Sequence, residues 1–129
     1  MGVCYSVNLD MAYKKKGSVR GALIKFIDSR ENTVFPQRKD DDLDSLLLCL
    51  FPRGTSITGG YSNTKRLGRK LLKSDFDASY SWKSVMYDAF DAIAPFLKDG
   101  SIFECWPDND YVRGVVKDGE VEWNEVSCS

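Results

Sequence analysis

Histidine is absent from all 129 residues of the chain. In enzymes the imidazole is the usual general base beside a nucleophilic serine or cysteine, and it is also a common metal ligand. Ser-His-Asp and Cys-His arrangements are therefore excluded, which leaves lysine and carboxylate side chains as the candidate bases. No catalytic motif surrounds any of them. We expect a protein that is not an enzyme and has no catalytic residues.

Paired cysteines are also missing. The four cysteines are Cys4, Cys49, Cys105 and Cys128, and none belongs to a C-x-x-C motif. Without such pairs and without histidine, the spacing of a structural zinc site is not present. Cys4, Cys49 and Cys105 lie in apolar stretches, so we expect them to be buried free thiols rather than halves of disulfides.

Two patterns that resemble ligand sites are incomplete. The segment Gly54–Gly60 has the glycine spacing of a phosphate loop, but Gly60 stands where that loop needs a lysine. Asp75 and Asp77 share one face of a predicted strand, and carboxylate oxygens suit hard cations. Aspartates near strand ends and turns have local reasons to be there as well. We expect no bound metal and no cofactor.

Long apolar runs are missing too. The longest, Leu46–Phe51, is far shorter than the roughly 20 residues that span a bilayer. The first residues, MGVCYSVNLD, contain no basic region followed by an apolar run, so no signal peptide is visible. We expect a cytoplasmic protein without membrane contact. The length and the hydrophobic content of 43% suit one domain over residues 1–129.

The net charge of −1 hides an uneven distribution. Residues 1–74 contain 14 Lys/Arg and 7 Asp/Glu, a balance of +7, whereas residues 75–129 contain 4 and 12, a balance of −8. The two halves either form separate basic and acidic surfaces or interleave in the fold and neutralise each other locally. Sequence halves seldom correspond to faces of a small domain, which favours interleaving.

Periodicity predicts the elements of the first half. An alternating strand comes first, with apolar Val3, Tyr5, Val7, Leu9 and Met11. Ser18 is then expected to cap a helix that fades near Asn32 and whose apolar stripe is Val19, Ala22, Leu23, Phe26 and Ile27. A connector, 32–39, leads to a second helix that begins at Asp41 or Asp42 and buries Leu43, Leu46, Leu47 and Leu50. The segment 54–64 is rich in Ser, Thr and Gly, which predicts an exposed loop.

The second half begins with a strand over 72–80 and a helix capped by Ser79 or Ser81. The stripe of that helix is Trp82, Val85, Met86, Ala89, Phe90, Ile93 and Leu97, and Pro95 is expected to interrupt its end. Three strands follow, 101–106, 111–116 and 120–126. The order β-α-α-β-α-β-β-β predicts an α+β fold of two layers, with helices on one face of a mostly antiparallel sheet that ends in a three-stranded meander.

The two turns of the meander fix its register. The two-residue turn Asp118-Gly119 pairs Gly114 with Trp123, and the four-residue turn 107–110 pairs Glu104 with Arg113. One face of the meander then carries Phe103, Cys105, Val112, Gly114, Val116, Val121 and Trp123, and this apolar face must be the core.

The other face of the meander mixes aromatic and charged side chains. Trp, Tyr and Arg are the residue types enriched at binding hot spots. If no helix covers this face, it is a candidate partner-binding surface; otherwise, the aromatic pairs only stabilise the hairpin. The candidate partner-binding residues are Glu104, Trp106, Asp108, Asp110, Tyr111, Arg113 and Glu122.

A second candidate surface is the densest basic segment of the chain. Its residues are Lys65, Arg66, Arg69, Lys70 and Lys73. They could neutralise the phosphates of a nucleic acid without reading its sequence. The acidic pI of about 5.4 and the absence of a known nucleic-acid-binding motif favour a solvated basic turn instead. We therefore expect no direct nucleic-acid binding at physiological salt.

The stretch Trp82–Trp123 resembles small uncharacterised proteins carried by phages and mobile elements of gut bacteria. The similar features are the helix over 89–97, the following Asp99-Gly100-Ser101 and the hairpins with turns PDND and KDGE. Many such phage proteins inhibit host defence machinery, including CRISPR nucleases. The resemblance implies a non-enzymatic inhibitor in the host cytoplasm, whose partner is a host protein or ribonucleoprotein. The alternative is a direct nucleic-acid-binding protein that uses the basic segment Lys65–Lys73.

Overall fold

The computed structural model describes residues 2–29, 46–47, 50–51, 57–66, 69–79, 81–107 and 110–127. In this part of the chain, six strands form one sheet with the order β2-β3-β1-β4-β5-β6, and every neighbouring pair is antiparallel. The strands are β1 Gly2–Ala12, β2 Ile57–Arg66, β3 Arg69–Ser79, β4 Ile102–Pro107, β5 Asp110–Lys117 and β6 Glu120–Ser127. The helices with described bounds are α1 Lys16–Ser29 and α2 Trp82–Ile93. The predicted α+β class is confirmed.

The core lies between one face of the sheet and the helices. The alternation of β1 buries Tyr5, Val7, Leu9 and Met11, none of which is more than 3% exposed. The apolar stripe of α2 is buried in the same cluster, as are Val19, Leu23 and Ile27 of α1. Burial of these apolar surfaces is the main stabilising contribution to such a two-layer fold.

The second predicted helix is described in part. Leu46, Leu47 and Leu50 are helical and fully buried, and the Phe51 amide donates a hydrogen bond to the Leu47 carbonyl oxygen at 2.7 Å. The Trp82 indole N–H donates to the Leu50 carbonyl oxygen at 3.3 Å, which ties α2 to this helical piece. The predicted start at Asp41 or Asp42 and the connector 32–39 lie outside the described residues.

Three predictions about the first half are wrong. The segment 54–64 was expected to be a loop, but β2 occupies Ile57–Arg66. An edge strand pairs on one side only, so it tolerates polar residues and glycines, and the register shifts between Ile57 and Tyr61 in the manner of a bulge. Helix α1 begins at Lys16, so Ser18 lies inside its first turn and is not its cap. Cys4 is exposed because it lies on the polar face of β1.

The end of α2 follows the prediction. Ser81 occupies the N-cap position but makes no side-chain capping hydrogen bond, and the α-helix ends at Ile93. A 3₁₀ turn, Ala94–Phe96, contains Pro95 and carries the chain toward β4. The proline ring conflicts with a helical carbonyl one turn earlier, which explains the change of helix type. Among the helices of the described chain, none is long and apolar enough to cross a membrane.

The predicted register of the meander is confirmed at every pair named above. Gly114 lies opposite Trp123, and Glu104 lies opposite Arg113. A β-carbon at Gly114 would come within 2.8 Å of the Trp123 ring and 2.7 Å of Val121. Because Gly114 has no side chain, the Trp123 indole fits beside it, and the indole contacts Tyr87 and Phe90 of α2.

The strands that precede α2 and those that follow it occupy different sides of the sheet. Strands β2, β3 and β1 form one side, and β4, β5 and β6 form the other. Contact between the two sides of the sheet runs through the pairing of β1 with β4. The two charge halves meet within β3, which spans residue 74 and places Asp75 and Asp77 of the acidic half between β2 and β1.

Candidate functional site

The sheet has a second face, which we call the outer face. Register defines it as the residues that alternate with the core positions, and no helix of the described chain packs against it. Its described side chains are Cys4, Ser6, Asn8, Asp10, Leu71, Lys73, Asp75, Asp77, Ile102, Glu104, Trp106, Tyr111, Arg113, Val115, Lys117, Glu120, Glu122 and Asn124. Five of the seven predicted partner-binding residues lie here.

Trp106 and Tyr111 form the aromatic centre of this face. Their ring centroids are 5.1 Å apart with an interplanar angle of 37°, a tilted contact typical of stabilising aromatic pairs. Trp106 is the second-last residue of β4 and Tyr111 is the second residue of β5, so the antiparallel pairing of these strands brings them together. Trp106 remains 37% exposed, although the large apolar residues of the chain are mostly buried. An indole of that exposure is available to a partner.

The Glu104 carboxylate fixes this aromatic pair. The Tyr111 hydroxyl donates a hydrogen bond to Glu104 Oε2 at 2.5 Å, and Asn8 Nδ2 donates to Glu104 Oε1 at 2.9 Å. Partial burial raises the pKa of Tyr111, and so do the hydrogen bond to Glu104 and the negative charge of that carboxylate. The phenol therefore stays a neutral donor at physiological pH. Three strands hold one network, which orders the side chains before any partner arrives.

The other predicted partner-binding residues do not all lie on the outer face. Arg113 is exposed and lies opposite Glu104 on one side and Asn124 on the other. Glu122 is exposed opposite Val115. Asp110 alternates with Tyr111, so its register position is on the helix-facing side at the start of β5. Asp108 lies outside the described residues.

Sequence analysis missed the part of the outer face that β1 and β3 contribute. Ser6 lies between Trp106 and Asp75, and its hydroxyl donates to Asp75 Oδ1 at 2.7 Å. Asn8 lies between Glu104 and Lys73. The alternation of β1 already assigned Ser6 and Asn8 to a polar face. What periodicity does not reveal is that β1 lies between β3 and β4.

Among the described side chains of the outer face, acidic residues outnumber basic ones. Six of its side chains are acidic, namely Asp10, Asp75, Asp77, Glu104, Glu120 and Glu122, and three are basic, namely Lys73, Arg113 and Lys117. An acidic surface with an aromatic centre is complementary to a basic protein surface and steers its approach over several ångströms.

The ionisable groups under the sheet have structural roles. Burial raises the pKa of Cys105 to about 12, which the neighbouring Tyr87 hydroxyl and Lys83 only partly offset. The thiol is therefore protonated at physiological pH and is not a nucleophile. The Trp123 indole N–H donates to Asp91 Oδ1 at 3.1 Å and anchors β6 to α2. Within the described ranges, no three His, Cys, Asp or Glu side chains are close enough together to hold a metal ion.

The basic segment Lys65–Lys73 does not form a turn alone, as was expected, because most of it belongs to two paired strands. Lys65 lies directly opposite Lys70, and Arg66 lies directly opposite Arg69. These four residues end the β2–β3 hairpin at one edge of the sheet. Lys73 lies further along β3, where its side chain is exposed on the outer face opposite Asn8. The segment is thus divided between the hairpin end and the outer face.

No protein-family model, no curated protein and no solved structure matches this chain.

Proposed function

We propose that the protein is a non-enzymatic binding protein that inhibits a host macromolecule by covering it with the outer face of the sheet. One observation carries the proposal. Trp106 and Tyr111 contact each other on a sheet face that no described helix covers, and the Glu104 carboxylate accepts a hydrogen bond from the tyrosine. Folding alone would favour burying the indole.

The side chains at the centre of this face are of the right type for a binding hot spot. Trp, Tyr and Arg are enriched at such sites, and Trp and Tyr offer a large contact area with few rotatable bonds. Trp106, Tyr111 and Arg113 lie within one small area of β4 and β5, with Asn8 beside them on β1. Hydrogen bonds made before binding reduce the ordering cost when a partner docks.

The size of the face also suits a protein partner. Five spacings of about 4.8 Å make a six-stranded sheet about 24 Å wide, and strands of eight residues are about 26 Å long. The product, about 600 Å², approaches the roughly 800 Å² that each partner contributes to a standard interface. A small-molecule pocket, by contrast, would require a concave site.

The acidic character of the face points to a partner with a basic surface. Nucleic-acid-processing effectors expose such surfaces in the channels that hold their substrates, and an acidic protein lying there excludes the nucleic acid. The resemblance of Trp82–Trp123 to phage proteins supports a host defence effector, such as a CRISPR nuclease, as the target. The partner would then be a host protein or ribonucleoprotein in the cytoplasm.

The test compares variants of the outer face with a matched surface variant. Tagged wild type, Trp106→Ala, Tyr111→Ala and Lys25→Ala, the last in an exposed position of α1, are used to capture partners from host lysate. Affinity for the captured effector, and inhibition of its activity, are then measured with purified components.

We expect Trp106→Ala to weaken the complex by about 2 kcal/mol, roughly 30-fold, and to relieve inhibition in proportion. The Lys25→Ala control should bind as wild type does. Unfolding curves must show that Trp106→Ala folds normally. A folded Trp106→Ala variant that binds and inhibits with unchanged affinity would refute the proposal.

A further inference from the structure

Strand β6 is the last strand of the sheet, and one of its two edges is paired with β5. That pairing runs without interruption from Lys117 opposite Glu120 to Asp110 opposite Ser127. Within the residues that the structure describes, no strand pairs with the other edge, which we call the free edge of β6. A regular strand of 8 residues with an unpaired edge is a template to which a further strand can add.

The hydrogen bonds of β5 show which backbone groups of β6 lie on the free edge. The Val116 amide donates to the Ser101 carbonyl oxygen at 2.9 Å, and the Val116 carbonyl oxygen accepts from the Gly100 amide at 2.9 Å. Both backbone groups of Val116 therefore point away from β6. In an antiparallel pair, two opposite residues either exchange both hydrogen bonds or direct both groups away from each other. Val121, which lies opposite Val116, thus directs its N–H and C=O to the free edge.

The same alternation continues along β6. Trp123 and Glu125 follow Val121 at intervals of two residues, so they also direct their N–H and C=O groups to the free edge. The backbone groups of Glu122 and Asn124 point toward β5 instead. Three donors and three acceptors are therefore aligned along the free edge with the spacing of a β-ladder. The ligand that matches this row is another extended peptide backbone.

The two edges of the sheet differ in how well they can accept a further strand. A proline, a bulge or a very short length commonly protects an edge strand from unwanted pairing. Strand β6 contains no proline, and its register with β5 does not shift. At the opposite edge of the sheet, the register of β2 shifts between Ile57 and Tyr61. The regular edge is thus the one at β6.

Acidic side chains lie on both sides of the free edge. Glu120 and Glu122 are exposed on the outer face, and Glu125 is exposed on the side of the helices. Asp91 of α2 lies on that side too, because its Oδ1 accepts the Trp123 indole N–H at 3.1 Å. The sequence of β6 contains no Lys or Arg. Basic side chains of an added strand would therefore meet carboxylates on either face of the sheet.

The same charges disfavour a second copy of the chain at this edge. Pairing of two β6 strands would bring three glutamates from each copy together, with no basic residue on either strand. Like charges on adjacent strands destabilise their pairing. The occupant that suits the free edge is therefore a basic peptide segment.

We propose that the free edge of β6 binds an extended Lys/Arg-rich segment of a protein partner as an additional strand of the sheet. Hydrogen bonds to the backbone of Val121, Trp123 and Glu125 supply the pairing, and the carboxylates of Glu122 and Glu125 select basic side chains. This site goes beyond the proposed function, because it uses backbone groups at the edge of the sheet and not the aromatic centre of the outer face.

The experiment titrates the full chain with a fluorescently labelled peptide of about eight residues in which arginine and threonine alternate. Anisotropy measures the affinity. The matched control is the same peptide with every backbone amide N-methylated, which keeps all charges but removes the N–H donors. We expect the methylated peptide to bind roughly tenfold more weakly or worse, because it cannot donate to the carbonyl oxygens of the free edge.

Two substitutions at one position separate backbone pairing from charge. Glu125→Gln removes one carboxylate and should weaken binding by about threefold. Glu125→Pro also removes an N–H that points away from β5, so it should weaken binding by roughly tenfold while the ladder with β5 is kept. Asp28→Asn removes a carboxylate from an exposed position of α1 and should change the affinity by less than about twofold. Urea unfolding curves check that all three variants fold.

Hydrogen exchange locates the bound peptide. In the free protein, the amides of Val121, Trp123 and Glu125 should exchange faster than those of Glu122 and Asn124, which are bonded to β5. Addition of the arginine–threonine peptide should slow the exchange of the first three amides selectively, because they then donate to the added strand.

Four results would overturn the proposal. The first is no binding of the arginine–threonine peptide at low salt. The second is equal binding of the methylated peptide, which would show charge attraction without strand addition. The third is protection of amides other than the three alternating ones. The fourth is a dimer in sedimentation velocity that protects the same amides without peptide, which would assign the free edge to a second copy.

Trp106→Ala separates this site from the proposed function. The variant should bind the arginine–threonine peptide as wild type does, even where it has lost affinity for the captured effector. Loss of peptide binding in a folded Trp106→Ala variant would place the peptide on the outer face and would also contradict the proposal.

Discussion

The two hairpins at opposite edges of the sheet differ in the charges that they place opposite each other across their strands. In the β5–β6 hairpin, Lys117 and Glu120 form an opposite-charge pair beside the two-residue turn, and Trp123 packs against α2. The end of the β2–β3 hairpin instead places Lys65 opposite Lys70, with a second like-charge pair beside it. The first hairpin has the features expected of selection for stability. The second places residues of like charge at two successive register positions.

The largest expected effect tests the packing of the stable hairpin. Trp123→Ala removes an indole that contacts Tyr87, Phe90 and Phe103, together with its hydrogen bond to Asp91. We expect the free energy of unfolding to fall by about 3 kcal/mol, measured by urea denaturation. Trp106→Ala is the matched comparison and should cost less than about 1 kcal/mol, because its ring is exposed. Equal losses in the two variants would show that the outer face is covered.

A smaller effect is expected at the glycine beneath that indole. Gly114→Ala would place a methyl group 2.7 Å from Val121 and 2.8 Å from the Trp123 ring, closer than atoms normally approach. Displacement of the indole should cost about 2 kcal/mol. The double variant Gly114→Ala/Trp123→Ala separates the causes. If Gly114→Ala costs as much without the indole as with it, the contact with Trp123 is not the reason.

The smallest expected effect has opposite signs in the two hairpins. Lys70→Glu turns the pair with Lys65 into an attractive one and should stabilise the fold by about 0.5 kcal/mol at low salt. Lys117→Glu creates a repulsive pair with Glu120 and should destabilise it by a similar amount. Thermal midpoints at 20 and 500 mM salt measure both changes, which should shrink at high salt. A destabilising Lys70→Glu would contradict the view that repulsion is built into the β2–β3 end.

The comparison also explains which parts of the fold could be predicted from the sequence. The register of the meander was predictable because Asp118-Gly119 fixes a two-residue turn, and Asp118 and Gly119 do adopt positive φ angles of 54° and 78°. Strand β2 was not predictable from alternation, because Gly59 and Gly60 interrupt a polar segment that gains its regular structure from pairing with β3. The strand conformation of that segment therefore depends on its pairing with β3 and not on the local preferences of its residues.

The candidate site also contains residues that could be assigned from the sequence and one that could not. Trp106, Tyr111 and Glu104 could be assigned to one face because short turns connect their strands. Asn8, which completes the hydrogen-bonded network, could not, because its neighbour Glu104 is 96 residues away in sequence. Strand order across such a distance depends on the packing of the whole sheet, which no local pattern encodes.

The central position of β1 has a consequence for the order in which the protein acquires its structure. The contacts of this strand reach 69 residues along the chain to β3 and 96 residues to β4. During synthesis β1 therefore emerges before both of its neighbours, and its four large apolar side chains stay exposed until β4 has left the ribosome. Closing such long loops is slow, so we expect refolding on a timescale of milliseconds to seconds, with α2 and the meander ordering before β1 joins them.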